Sequence, residues 1–311
     1  MTSSLDAGDL FERRMTYPDI EAKTRLARLV GLDDHKARLS KMLGLLANPT
    51  RLQAWVQKHH PEGHHLLSMV HRRPPLVVLA GDVGSGKSEL AESIGDEVAR
   101  QEKIDVVLLP LSLSSRGSGR VGEMTQLLAS AFETTFEEAR KLKPTSGAAR
   151  GAVLLLIDEA DALAQSRENA QMHHEDRAGV NALIRGVNRL ANGGVPAAVI
   201  MCTNRLSALD PAVRRRAADI MLFARPDDRQ RRSVLHDALS PLGFSEADIE
   251  AMVAATGPTD GRSYGFAFSD IVQRLLPAVV LDAYPDAPVA PARAIQIAHA
   301  LVPTPPFREE A

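Results

Sequence analysis

The chain has 311 residues, 44% of them apolar and only 4% aromatic, so it can bury more than one core, with packing resting on Leu, Val, Ile and Ala. A formal charge of −2 removes any global attraction to nucleic acid or to an anionic membrane. The single cysteine, Cys202, excludes an internal disulfide framework and fits a reducing compartment. No apolar run approaches the roughly 18 residues needed to cross a bilayer. The opening MTSSLDAGDLFERR lacks the apolar stretch of a secretory signal, so the expectation is a soluble cytoplasmic protein.

Residues 1–25 are polar and poorly periodic, and the first dozen are expected to be mobile. A helix from Asp33 turns His35, Lys36 and Arg38 outward and Leu39, Met42, Leu43 and Leu46 inward, ending at Asn48-Pro49. A second helix is expected from Pro49 to His59. His59, His60, His64, His65 and His71 then cluster around Pro61-Glu62-Gly63. Clustered imidazoles can bind a transition metal, but no Cys and no H-E-x-x-H spacing accompanies them, which favours a polar or partner-facing loop.

From Pro74 onward strands alternate with helices, the sign of a parallel α/β sheet. Leu76 to Leu79 is a buried-strand run, and GDVGSGKS follows it, with Gly81, Gly86, Lys87 and Ser88 satisfying G-x-x-x-x-G-K-[ST]. A loop of this kind cradles phosphate oxygens on its backbone N–H groups, where side chains would obstruct the approach. Asp82, Val83, Gly84 and Ser85 complete the loop and Glu89 belongs to the helix start behind it. Lys87 is expected to reach the β- and γ-phosphates, and the Ser88 hydroxyl to hold Mg²⁺.

Ile104 to Leu109 is a second strand, followed by a flexible loop from Ser112 and a helix marked by Met124, Leu127, Leu128, Ala131, Phe132 and Phe136. Ala152 to Ile157 is a third strand, apolar throughout, that ends in Asp158-Glu159. An Asp there coordinates Mg²⁺, while the Glu polarises a water for attack on the γ-phosphate. A long helix buries Val180, Leu183, Ile184, Val187 and Leu190, and Asn192-Gly193-Gly194 stops it. A fourth strand, Ala197 to Cys202, ends in Thr203-Asn204-Arg205. Asn204 is placed on the same sheet edge as Asp158, where an amide can orient the attacking water. Asp210-Pro211 opens a short helix carrying Arg214, Arg215 and Arg216, and Ile220 to Phe223 is a fifth strand. Three adjacent arginines suit either a solvated helix C-terminus or cations offered to a neighbouring subunit's phosphates.

Beyond Pro226 the strands cease. Helices are expected over 229–239, 245–256, 269–284 and 291–301, with Ser245 and Ser269 as N-caps and a kink or break at Pro277. The chain therefore reads as an N-terminal helical extension and linker (1–72), an α/β nucleotide domain (73–225) and a helical domain (226–311).

Taken together, these motifs resemble those of the AAA+ ATPases over Pro74 to Pro226. GDVGSGKS resembles Walker A, VLLLIDEAD Walker B, AVIMCTNR sensor 1, and LDPAVRRRAADIMLF the region of homology that carries arginine fingers. The resemblance implies an α/β P-loop fold: a five-stranded parallel sheet with flanking helices and a small C-terminal all-helical lid. It implies a homo-oligomeric ring, usually of six subunits, with ATP or ADP and Mg²⁺ between neighbours. It places Val30 and Gly31, within Leu29 to Leu32, against the adenine, and Arg215 and Arg216 as the fingers. Glu159 and Asn204 complete the implied catalytic set, with Ser88 and Asp158 at the Mg²⁺. EDRAGVNALIRGVNRL, RAADI and SDIVQRLLPAVVLDAY are similar to the pachytene-checkpoint, thyroid-receptor-interacting branch, which remodels HORMA-domain proteins. That branch threads its protein substrate past a pore loop, here Arg116, Gly117, Ser118, Gly119 and Arg120, although no aromatic residue is present in it. The sensor-2 position of the lid falls near Ile271, with Arg274 one turn on. A minimal bacterial member acting with a HORMA partner in anti-phage signalling fits the short chain. A nucleic-acid motor or loader on the same core is the alternative, but it calls for a basic channel or a helix-turn-helix, and the balanced charge argues against it. A lone nucleotide switch or small-molecule kinase leaves the arginine cluster and the lid without purpose.

Overall fold

Burial decides where the strands lie. In a computed structural model that describes residues 10–47, 49–63, 65, 69–70, 73–113, 123–143, 149–163 and 173–306, all five expected apolar runs are strands. They are β2 (Leu76–Gly81), β3 (Asp105–Ser112), β4 (Gly151–Asp158), β5 (Ala197–Thr203) and β6 (Asp219–Phe223). The chain divides into two units. One holds the residues up to Arg28 with Asp34–Ala80 and Ser88–Leu222; the other holds Leu29–Asp33, Gly81–Lys87 and the chain from Phe223.

The sheet has six strands rather than five, in the order β1-β3-β4-β5-β2-β6. The addition is β1 (Met15–Tyr17), which pairs antiparallel with β3, Met15 opposite Leu108 and Tyr17 opposite Val106. Three residues are too few to show a period of two, so the polar stretch around them carries no strand signal. What holds β1 is Tyr17, buried with its ring against Gly95, where a Cβ would meet the ring carbons at 2.5 Å. The Tyr17 hydroxyl donates to the carbonyl of Glu92, and burial, then the charge of Glu92, pushes the phenol pKa up. Leu10 and Phe11 are likewise buried in the main core, so the mobile start expected for the first dozen residues does not extend to them.

The other pairings in the first unit are parallel. β3 runs beside β4 from Asp105–Gly151 to Ser112–Asp158, β4 beside β5 to Ile157–Met201, and β5 beside β2 to Thr203–Ala80. Their C-terminal ends therefore share one edge, the edge at which such sheets bind ligands. One face is covered by α5 (Glu123–Leu142) and α6 (His173–Gly193), with Leu127, Leu128, Phe132, Leu183, Val187 and Leu190 in the core. Glycine allows the close approach here, because a Cβ on Gly186 would fall on the Phe132 ring. Ahead of them in the chain lie α1 (Ile20–Ala27), capped by Asp19, α2 (Asp33–Ala47), α3 (Pro49–His59) and α4 (Lys87–Glu102). The α4 residues Leu90, Ile94 and Val98 are fully buried, each such side chain contributing roughly 1.5–3 kcal/mol of apolar transfer. Near the end of α3, the rings of His59 and His60 lie against Trp55; His64 and His71 fall outside the described residues.

The second unit is mostly helical: α8 (Asp228–Leu239), α9 (Glu246–Ala255), α10 (Leu276–Ala283) and α11 (Pro291–Ala300), after the short α7 (Pro211–Arg214) of the first unit. Ser245 caps α9 in a reciprocal box with Asp248, as expected. Ser269 does not cap. It has helical dihedrals and no side-chain cap bond, and Asp270–Leu275 forms a π-helix before α10 starts with Pro277 in its first turn. The break expected at Pro277 thus falls just ahead of it, where the missing N–H costs nothing.

Asp270 anchors this unit. Its fully buried carboxylate accepts from the Ala267 N–H at 3.0 Å, the Thr304 hydroxyl at 2.7 Å and N–H at 3.1 Å, and Arg274 at 2.9 Å. Burial by itself would raise its pKa, but these donors together hold it below the ordinary carboxylate value. A lowered folded-state pKa means the stabilisation is present above the unfolded value of about 4 and lost as pH falls through the folded one. Asp270→Asn is expected to cost roughly 2–3 kcal/mol at neutral pH in urea denaturation. The gap to the wild type should close as the buffer is acidified.

Candidate active site

Within the second unit, the Gly81–Lys87 loop is shaped by three glycines at positive φ, Gly81 (146°), Gly84 (71°) and Gly86 (93°). Each is also tightly packed. A Cβ on Gly81 would fall on the Phe223 carbonyl, one on Gly84 on the Ser269 hydroxyl, and one on Gly86 within 3.3 Å of Leu32. The Ser85 hydroxyl donates to the Asp82 carbonyl at 2.7 Å and the Asp82 carboxylate accepts from the Val83 N–H at 2.8 Å. The Lys87 ammonium, only 6% exposed, folds over the loop and donates to the carbonyls of Gly81 at 3.0 Å and Asp82 at 2.7 Å. A curled backbone with an ammonium at its mouth has the chemistry to cradle a phosphate.

The loop is fastened by groups no motif announces. Arg225 pairs through Nε with the Asp82 carboxylate and donates to the carbonyls of Gly265 at 2.8 Å and Thr304 at 2.7 Å, its guanidinium 5.0 Å from the Tyr264 ring centre. The Ser269 N–H donates to the Gly84 carbonyl at 3.2 Å. Val30 and Gly31 lie in the segment Leu29–Asp33 of the same unit, and the Gly31 carbonyl accepts from Gln230 at 3.0 Å. Ile271, at the expected sensor-2 position, is buried, and Arg274 is engaged by Asp270.

In the first unit, Ser88 follows Lys87 directly and donates its hydroxyl to Asp158 at the end of β4. Burial pushes the Asp158 pKa up, while the bonds from Ser88 and from the Glu159 N–H at 2.8 Å oppose the rise. A hydroxyl and a half-buried carboxylate are hard oxygen donors that fit Mg²⁺. Glu159 is exposed and has φ of 53°, a strained setting for a non-glycine residue that turns its side chain out of the strand line. Glu89 is occupied by a forked bond from Arg25, at 2.6 and 2.9 Å, and the same guanidinium reaches Glu92 at 2.7 Å.

Asn204 lies half-buried at the end of β5, its side-chain N–H donating to Asp161 at 3.0 Å. Arg215 is exposed at the C-cap of α7, whereas Arg216 donates back to the Ala212 carbonyl at 3.1 Å. Arg116, Gly117, Ser118, Gly119 and Arg120 lie outside the described residues. Sequence reasoning passed over Asp161, Arg225 and Gln230. Only Asp161 left a signal, as the third acid of Asp158-Glu159-Ala160-Asp161.

The family model of AAA, the ATPase family associated with various cellular activities, matches residues 77–225. CD-NTase-associated protein 6 of Escherichia coli (strain MS 115-1) is 64% identical over 304 residues, 98% of this chain and 97% of that protein. The chain belongs to the AAA ATPase family. As a member it is a nucleotide-binding ATPase. Its fold superposes at a TM-score of 0.88 and 63% identity on a chain of the solved E. coli MS115-1 HORMA:CdnC:Trip13 complex, covering 96% of this chain and 97% of that one. Rhizobiales Trip13 gives 0.73 at 56% identity, with 95% and 100% covered, which makes this a Trip13-like member of the family. Among the described residues no helix is long and apolar enough to cross a membrane.

The packing at Gly84 yields a test of the loop's shape. Gly84→Ala is expected to cost about 1–2 kcal/mol of stability for the left-handed backbone alone, read as a lowered thermal or urea midpoint. Ser269→Ala in the same background removes the closest clash, leaving the Cβ atoms of residue 269 and Ala267 at 3.0 and 3.2 Å, and is expected to recover only part of that loss.

Proposed function

We propose that this AAA ATPase couples ATP hydrolysis to remodelling of a HORMA-domain protein, converting it between conformations or dissociating its complexes. It does so as a homohexameric ring in the cytoplasm, in bacterial anti-phage signalling. The observation that carries the reading is full-length similarity, 63% identity over 96% of the chain, to a chain found in a HORMA:CdnC:Trip13 complex. ATP and ADP bind through the backbone of Asp82 to Gly86, Lys87, Ser88 and the N-terminal turn at Glu89, with the adenine against Val30 and Gly31. Ser88 and Asp158 would hold Mg²⁺, which when bound neutralises phosphate charge. Glu159 accepts a proton from the attacking water and Asn204 orients it. The backbone setting of Glu159 supports this assignment, because strain of that kind persists where a side chain must be aimed. Arg215 and Arg216 act on a neighbour's γ-phosphate, with exposed Arg215 the freer to reach across. Gripping of the polypeptide is assigned to Arg116–Arg120 on sequence grounds.

Lys87→Ala is expected to abolish nucleotide binding, whereas Glu159→Gln binds ATP normally and hydrolyses it far more slowly. Wild-type turnover in Glu159→Gln would remove that residue from the water-activating role. Mixing inactive Lys87→Ala subunits with inactive Arg215→Ala/Arg216→Ala subunits should restore part of the activity. Some mixed interfaces then join an intact loop to intact arginines, and such arginines are worth about 10³–10⁵ in rate. Mixed rings that form yet stay inactive at every ratio contradict action in trans. Purified with a HORMA protein, the ATPase should convert it between peptide-bound and free states only with ATP; conversion without ATP counts against the remodelling role.

A further inference from the structure

One carboxylate at the sheet edge has no role in the reading above, yet four donor groups converge on it. Asp161 lies in a single 3₁₀ turn, Ala160–Leu163, just after Glu159. Its Oδ1 accepts from the Thr203 hydroxyl, from the Asn204 N–H at 3.1 Å and from the Arg205 N–H at 3.1 Å. Its Oδ2 accepts from the same Asn204 N–H at 3.1 Å and from the Asn204 side-chain Nδ2 at 3.0 Å. Thr203 is buried, and its oxygen takes the Arg205 N–H at 3.1 Å, which leaves the hydroxyl proton for Asp161.

We propose that Asp161 is the positioning residue for Asn204, fixing its side-chain amide so that the carbonyl oxygen, and not the NH₂ group, is presented to the attacking water. The chemistry is one-sided. A carboxylate only accepts, so the amide must turn its NH₂ toward Asp161, and Oδ1 points away. An oxygen so held accepts a hydrogen from water and leaves a water lone pair free for phosphorus. The same bonds occupy Asp161's own lone pairs, which separates its role from that of the exposed Glu159 nearby. Because the backbone N–H groups of Asn204 and Arg205 are pinned too, the end of β5 moves with the turn after β4 as one piece. The inference rests on Asn204 orienting the water, as proposed above.

The test is steady-state ATP hydrolysis with a parallel titration of a fluorescent ADP analogue. Asp161→Asn, which can turn a donor toward Asn204, is expected to lower kcat by about 10–100-fold, the usual cost of losing an orienting partner. Nucleotide affinity should stay within about twofold, a split that general unfolding would not produce. Asn204→Ala should be slow as well, and Asp161→Asn/Asn204→Ala no slower than Asn204→Ala alone, since the two act through one atom. Wild-type turnover in Asp161→Asn beside a slow Asn204→Ala overturns the positioning role only. Multiplying losses in the double variant overturn it as well. Wild-type turnover in Asn204→Ala overturns the reading of Asn204 itself. If Asp161→Asn shows no cooperative melting, Asp161→Glu replaces it, keeping the charge but displacing the oxygens. The same loss in kcat at unchanged affinity is then expected, and an unaltered kcat overturns the proposal.

Discussion

Gly151 to Ile157 are shielded from water on both faces of the sheet, and a strand so placed can carry a charge only where it leaves the layer. That constraint puts Asp158 at the strand's end, half-buried, with its pKa raised by burial and partly restored by Ser88. Parallel pairing then brings the ends of β3, β4, β5 and β2 to one edge, since Ser112 stands beside Asp158 and Thr203 beside Ala80. Acid, amide and hydroxyl groups from distant parts of the chain meet there because none of them could be sheltered further back. The polar network around Asp161 is the low-cost solution at that edge, with the Thr203 hydroxyl, the Asn204 side chain and the Arg205 N–H directed at one carboxylate.

The phosphate loop obeys a different rule. Its three glycines at positive φ make the curl possible, and the residues packed on them make it singular. Arg225 adds charge to shape, joining the Asp82 carboxylate to the carbonyls of Gly265 and Thr304. In this unit hydrogen bonds join the loop to Ser269 and the Leu29–Asp33 segment to Gln230 on α8, so the loop and that segment are both held by the helical part of the unit. Asp270 supplies the rigid end of that arrangement, buried under the π-helix and the segment at Thr304.

Local physics made much of this legible beforehand. Apolar runs long enough to be buried on both faces announced β2 to β6, and the 3.6-residue spacing announced α5 and α6. Asp-Glu after such a run, and Gly-Lys-Ser after another, mark chemistry because those residue types have no reason of stability to stand there. Capping at Ser245 was readable for the same reason, being a contact between residues three apart. Ser269 was not, because its N–H is directed to Gly84, far away in the chain.

By itself, the sequence determined the five longer strands, most of the helices and the glycine loop, and it nominated the candidate reactive groups, since each of these depends on neighbours within a few residues. Only the tertiary structure decided the sixth strand, the engagement of Glu89 by Arg25, the clasp of Arg225 on Asp82 and the hold of Asp161 on Asn204. These side-chain pairs lie 43 to 143 positions apart in the chain. A three-residue strand has no periodicity of its own, and a surface arginine looks the same whether its carboxylate is near or absent. Such features are made by the meeting of distant segments, and a linear pattern holds no record of which segments meet.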